Sequence, residues 1–175
     1  MASVITYSKG HNIFINIEKT QPIIIGSNAY VTMLKNGDIP QICINGVYVP
    51  YQTSVVNLGV TFDPLLSWNQ HCVTVVNRVF GMLAQVRRNF ELLPLNIRAR
   101  IVQTLIFPLF DYANELFTDM PVTVISKLHR AQNACIRFIS GIKKSDHVTQ
   151  VYKDLQILKI EDRIKLSIAY PCLEN

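Results

Sequence analysis

The sequence predicts an α+β fold: a small antiparallel β-sheet with hairpins, followed by a helical bundle. Three observations predict it. Short runs of β-branched residues fill the chain up to Trp68. An Asn45-Gly46 pair sits at the centre of a symmetric apolar stretch. From Asn69 onward the apolar spacing changes to a helical period.

The β-rich part begins with Phe14-Ile15-Asn16-Ile17 and Pro22-Ile23-Ile24-Ile25-Gly26, two runs expected as strands because turn formers end them. The segment Gln41 to Pro50 then places Ile42, Cys43 and Ile44 opposite Val47, Tyr48 and Val49 across Asn45-Gly46. Asn and Gly both accept positive φ, so this pair favours a type I′ turn and a tight hairpin. Another extended run, Val55 to Phe62, carries Gly59 in its interior, which is read as a bulge or as a close approach of another backbone.

In the helical part, Cys72, Val76, Val79, Phe80, Leu83, Val86 and Phe90 fall on one face of a first helix that Leu93-Pro94 breaks. Ile97, Ile101, Leu105 and Leu109 line a second, which Pro108 kinks or ends. A third starts after Asp119, with Pro121 at its first position, and runs through Ile125, Leu128, Cys135 and Ile139 to Gly141. Asp146 is expected to cap a fourth helix bearing Val148, Val151, Tyr152 and Leu155. Ile160, Ile164 and Ile168 indicate a last one, cut short by Pro171. Residues 1–66 and 67–175 are therefore expected as two lobes, their junction lying near Pro64 to Trp68, with Trp68 packed between them.

Charge separates the same two parts. Residues 1–68 hold three basic groups (Lys9, Lys19, Lys35) and three acidic ones (Glu18, Asp38, Asp63). The whole net charge of +5 thus falls in residues 69–175, which fits a polyanion partner such as nucleic acid and, on charge alone, equally a solvated basic surface. With 49% apolar residues and a mean hydropathy of +0.22, some apolar surface is expected to meet another part of a larger protein.

Cys43, Cys72, Cys135 and Cys172 form no C-x-x-C pair, and buried reduced thiols of an intracellular, cytoplasmic or nuclear protein are expected. The start, MASVITYSKGHNIF, has no charged leader before a long apolar run, and the oiliest stretch, Ile101 to Phe110, is short and interrupted by Gln103 and Pro108. No membrane partner is expected.

The order of motifs resembles the reverse transcriptases of non-LTR retrotransposons, the jockey-like elements of insects in particular. Asn16-Ile17-Glu18-Lys19-Thr20 followed by Ile23-Ile24-Ile25-Gly26-Ser27 is similar to the N-x-x-K-T segment beyond the polymerase active site of that family. Asn57-Leu58-Gly59-Val60, Asp63, Leu66-Ser67-Trp68 and His71 are similar to its "NLGV…D…LSW…H" passage. Arg98, Pro108, Asp111-Tyr112, Leu128 to Gln132, Arg137-Phe138-Ile139, Gly141, His147-Val148-Thr149 and Leu158 to Arg163 continue the likeness, which covers roughly residues 12–170.

The resemblance implies the end of a polymerase palm in residues 1–66 and a thumb in residues 67–175. Lys19 is similar to the lysine near the departing pyrophosphate, where an ammonium donates a proton or neutralises charge. Asn57, Leu58 and Gly59 resemble the tip of the hairpin that holds the primer end, where a Gly permits close backbone approach. Arg78, Arg87, Arg88, Arg98 and Arg100 would grip the phosphates of an RNA/DNA template–primer duplex, sequence-independently and with salt sensitivity. Arg130, Arg137, Lys143 and Lys144 form a second basic group.

Polymerases of this class use Mg2+ held by paired aspartates. Those aspartates should precede Asn16, yet none of the fifteen residues before it is Asp or Glu. Asp38, Asp63, Asp111, Asp119 and Asp146 are scattered, as turn and cap residues are. No cofactor or metal site is therefore expected in the chain itself, and its partner would be the fingers and palm of the same polymerase. His11, His71, His129 and His147 lack ligand spacing, and no G-x-S-x-G elbow or phosphate-binding glycine loop is present. The alternatives are a helical protein-interaction module and a non-functional remnant of a decayed element.

Overall fold

The structure, a computed structural model, describes residues 2–35, 37, 39–117 and 120–169. Asp38, Asp119, Pro171 and Cys172, each given a part in the sequence reading, lie outside the described residues. The architecture is α+β: two small antiparallel sheets plus helices. The chain divides into two compact units, Met1–Ser67 and Trp68–Asn175.

The first unit opens with a helix, α1 (Ala2–Gly10), at a place where the sequence pattern predicts no element. Its end is held locally, by the His11 ring stacked 4.1 Å from that of Tyr7, one helical turn back. The two runs expected as strands, 14–17 and 22–26, form no ladder. Asn16 bends the first instead: its Oδ1 accepts the Lys19 amide at 3.1 Å and its carbonyl accepts the Thr20 hydroxyl at 2.8 Å. The second is bonded at its ends, Pro22 O accepting from Gln52 N (2.8 Å) and Gly26 N donating to Pro64 O (3.0 Å). β-Branching favours extended backbone but supplies no partner, and Pro22 has no N–H to offer one. A second unassigned helix, α2 (Asn28–Lys35), follows Ser27, whose hydroxyl accepts the Tyr30 amide at 3.3 Å as an N-cap does.

Two two-residue hairpins complete the unit. β1 (Ile42–Ile44) pairs with β2 (Val47–Val49) in the register expected around Asn45-Gly46, whose φ angles are +50° and +83°. β3 (Val55–Asn57) pairs with β4 (Val60–Phe62), and here the reading of Gly59 as an interior bulge is corrected. Leu58 (φ +47°) and Gly59 (φ +79°) are the turn itself, so one extended run becomes two strands. Asp63 closes the passage: its carboxylate accepts the Leu65 amide and both the amide and hydroxyl of Ser67, at 2.9–3.1 Å.

The second unit is helical. α3 (Asn69–Arg87) and α6 (Val122–Ser140) pack side by side and supply half of its buried apolar residues. Val79, Leu83, Ala131, Cys135, Ile136 and Ile139 are fully buried. The inward stripe of α3 is Cys72, Val75, Val79 and Leu83; Phe80, expected on it, is 41% exposed. Burial of each large aliphatic chain stabilises by roughly 1.5–3 kcal/mol.

α4 (Leu95–Ile101) runs into a π-helical turn, Val102–Ile106, before α5 (Pro108–Asp111). Pro108 has no N–H and its ring clashes with the carbonyl one turn back, so the chain widens there, and Phe107 N bonds Val102 O at 2.9 Å. The extra residue rotates the apolar face. Val102, Ile106, Phe107 and Phe110 are buried, whereas Ile97 and Leu105 of the expected face are exposed.

α6 ends at Gly141 in the left-handed conformation (φ +74°). α7 (Thr149–Asp154) is shorter than expected, and Asp146 does not cap it; the Asp146 carboxylate accepts the Lys143 amide at 2.9 Å and so closes the preceding turn. α8 (Ile160–Ala169) buries Ile160 and Ile164. Gln132 on α6 clamps the approach to α8, its side-chain amide donating to Leu158 O (2.8 Å) and accepting from Ile160 N (2.9 Å) while fully buried.

Candidate nucleic-acid interface

Along α6, residues 130, 133, 134, 137 and 138 form a stripe at helical spacing. With Phe80 and Arg87 of α3, Phe90 beyond it, and Gly141, Ile142 and Lys144 after α6, this stripe lines a groove of about 880 Å³. Four of the lining residues are cations (Arg87, Arg130, Arg137, Lys144) and none is Asp or Glu. Three are phenylalanines.

Below the groove, Arg98 acts as a brace. Its Nη1 donates to Phe138 O at 3.2 Å, and its guanidinium lies 4.2 Å from the Phe90 ring centroid. Phe90 meets Phe138 edge-on at 5.8 Å. A Cβ at Gly141 would come within 3.3 Å of Phe90 Cζ and 3.5 Å of Arg98 Nη1, so glycine suits this position on space as well as on φ. Arg137 Nη2 donates to Asp146 O at 3.3 Å, while its Nε is buried and meets no acceptor among the described residues.

The five arginines picked out around the first two helices are only partly gathered. Arg87 lines the groove and Arg98 supports it from within. Arg78, Arg88 and Arg100 are exposed and line no part of it. The charge of Arg78, after burial itself, pushes the His71 pKa below its ordinary 6.5. The basic partners of Arg87 come from the second group, Arg130, Arg137 and Lys144. Their spacing on α6 was legible; their juxtaposition with Arg87 depends on the packing of α3 against α6.

In the first unit, Asn57, Leu58 and Gly59 are exposed at the hairpin tip, Leu58 at 83%. Leucine at positive φ is uncommon and costs of order 1–3 kcal/mol, and such strain clusters at functional positions. Lys19 is exposed at the end of the Asn16 turn. Trp68 is buried within the helical unit against Phe117, ring centroids 5.3 Å apart.

Burial pushes the thiols of Cys72 and Cys135 up to about 11 and about 12, so both are weak nucleophiles at neutral pH. Cys43, expected to be buried, is exposed. No group of three or more His, Cys, Asp or Glu that could hold a metal ion occurs among the described residues. No helix among them is long and apolar enough to cross a membrane.

The chain is 20% identical over 176 residues to the RNA-directed DNA polymerase from mobile element jockey of Drosophila melanogaster, a match covering 97% of the chain. It spans only 18% of that protein's length. The similarity is distant and suggests a segment related to reverse transcriptases. No family model and no solved structure matches.

Proposed function

We propose that the chain is a segment of an RNA-directed DNA polymerase of a non-LTR retrotransposon, contributing template–primer-binding surfaces. The distant similarity to the jockey polymerase over 97% of the chain supports the kinship. The observation that carries the binding role is the groove in which Arg87, Arg130, Arg137 and Lys144 converge with no carboxylate among its lining residues. Cations gathered on one concave face raise the local potential and hold phosphates, independent of sequence.

In this reading residues 1–66 are the end of the palm and residues 67–175 the thumb. The exposed Leu58-Gly59 turn meets the primer end, and Gly59 lets the backbone come close. Arg98 is a positioning residue that sets Phe90 and Phe138 in the groove wall. Lys19 serves the pyrophosphate only when the metal-binding aspartates of the same polymerase are beside it. The chain by itself transfers no nucleotide.

The test is the affinity of the chain for a labelled RNA–DNA hybrid whose RNA template extends as a single strand beyond the primer, across a salt series. Neutralising four phosphates predicts a log–log slope of about −3.6, from a factor near −0.9 per contact. Affinity that is indifferent to salt, or no binding to the hybrid, rejects the proposal.

A further inference from the structure

We infer that the groove takes single-stranded polynucleotide, with one unstacked base lying against Phe80 and the flanking phosphates on Arg87, Arg130, Arg137 and Lys144. The inference rests on the nucleic-acid reading above and narrows it. A duplex offers the outside of its backbone, with its bases paired and stacked within, and a convex row of cations would suffice to grip it. The groove differs on two counts. Its volume, about 880 Å³, lies in the range of cavities that enclose a small molecule. Its wall is also partly aromatic, with Phe80 left 41% exposed although it belongs to the long core helix.

Phe80 and Arg87 are seven residues apart, two turns along the same side of α3. Facing them, the α6 stripe alternates Arg130 and Arg137 with Asn133 and Ala134. An aromatic ring flanked by cations is the pattern that holds single strands, since every base has a π face and every linkage a phosphate. Asn133 adds a polar group to the wall. Its Oδ1 already accepts the Tyr152 hydroxyl at 2.8 Å, which leaves its amide nitrogen to donate to a base carbonyl.

The experiment compares three probes on the whole chain: oligo(dT), an abasic strand of equal length, and a blunt RNA–DNA hybrid. Oligo(dT) should bind about tenfold more tightly than the abasic strand, the size expected of one base–aromatic stack. Phe80→Ala should abolish that difference, Phe80→Tyr should keep it, and Arg87→Gln should weaken both single strands alike. Phe80 is exposed enough for these replacements to leave the fold intact, which circular dichroism checks. Equal affinity for oligo(dT) and the abasic strand, or a base preference that survives Phe80→Ala, overturns the inference; hybrid binding in the same samples would leave the polymerase reading standing. Binding of none of the three probes rejects both, and capture of polyglutamate in their place would assign the groove to an acidic protein.

Discussion

Arg163 holds Asp111 with both arms of its guanidinium: Nε donates to Oδ1 at 2.9 Å, Nη2 donates to Oδ2, and the same group lies 5.1 Å from the Phe107 ring centroid. The fork ties α8 to the end of α5, just beyond the π turn that Pro108 imposes. Both side chains are partly exposed, which tempers the pair. Asp111→Ala should lower the unfolding free energy by about 1–2 kcal/mol in urea titrations. Arg163→Lys should lose most of the same amount, because an ammonium reproduces neither the fork nor the stacking. Full stability in the lysine variant would show that charge alone matters.

Gln132 is the buried counterpart. Replacing it by Ala leaves the buried Ile160 amide without its partner and the part-buried Leu158 carbonyl to water, a loss of roughly 1–3 kcal/mol. Amide exchange at Ile160 should accelerate strongly in this variant. Exchange there that stays as slow as in the parent would mean α8 is fixed by its apolar contacts alone.

Leu58 offers a change of opposite sign. Leu58→Asn keeps a side chain but suits positive φ, so the variant should be more stable by about 1 kcal/mol. If the tip meets the primer end, the same variant should lose hybrid affinity, separating stability from function at one residue. A variant that is stabilised and binds as before would remove the hairpin from the interface.

The basic groove predicts a graded salt response. Arg87→Gln and Arg130→Gln should each flatten the log–log slope of binding to a hybrid with a single-stranded template overhang by about 0.9, and together by about twice that. Arg100→Gln, outside the groove, should change the slope far less. An equal effect at all three positions would mean that net charge, rather than the groove, sets the affinity.

The buried thiols set an alkaline limit. Cys72 and Cys135 are pushed above their ordinary 9.0, to about 11 and about 12, chiefly by burial. Raised folded-state values mean that the unfolded chain loses its protons first. Their contribution is therefore complete below pH 9 and is lost as pH rises toward 11 and 12, so urea midpoints should fall across that window. At pH 8, a thiol reagent should modify Cys43 quickly and reach Cys72 and Cys135 only in denaturant. Rapid native-state labelling of Cys135 would contradict its burial.

Local chemistry determined a good part of this protein. Asn45-Gly46 was enough to place a hairpin with its register, since both residues tolerate the φ that a tight turn demands. Gly141 ended α6, and the helical period from Asn69 onward placed the long helices α3 and α6. The order of motifs pointed to reverse transcriptases, to one of which the chain is distantly similar over 97% of its length. What local chemistry could not supply was partnership. The runs at 14–17 and 22–26 have β-forming residues but no strand beside them among the described residues, and Leu58 occupies a turn conformation its side chain disfavours. Pro108 announced a break in a helix; only packing decided that the break would be a π turn that rotates Val102 and Ile106 inward and Leu105 outward. The groove belongs to this second class as well. Arg87 and Arg137 are fifty residues apart in sequence, and nothing in either helix alone brings them to one wall. Burial of the α3 and α6 core stripes does so, because fixing the apolar faces together leaves the cations and Phe80 side by side at the rim.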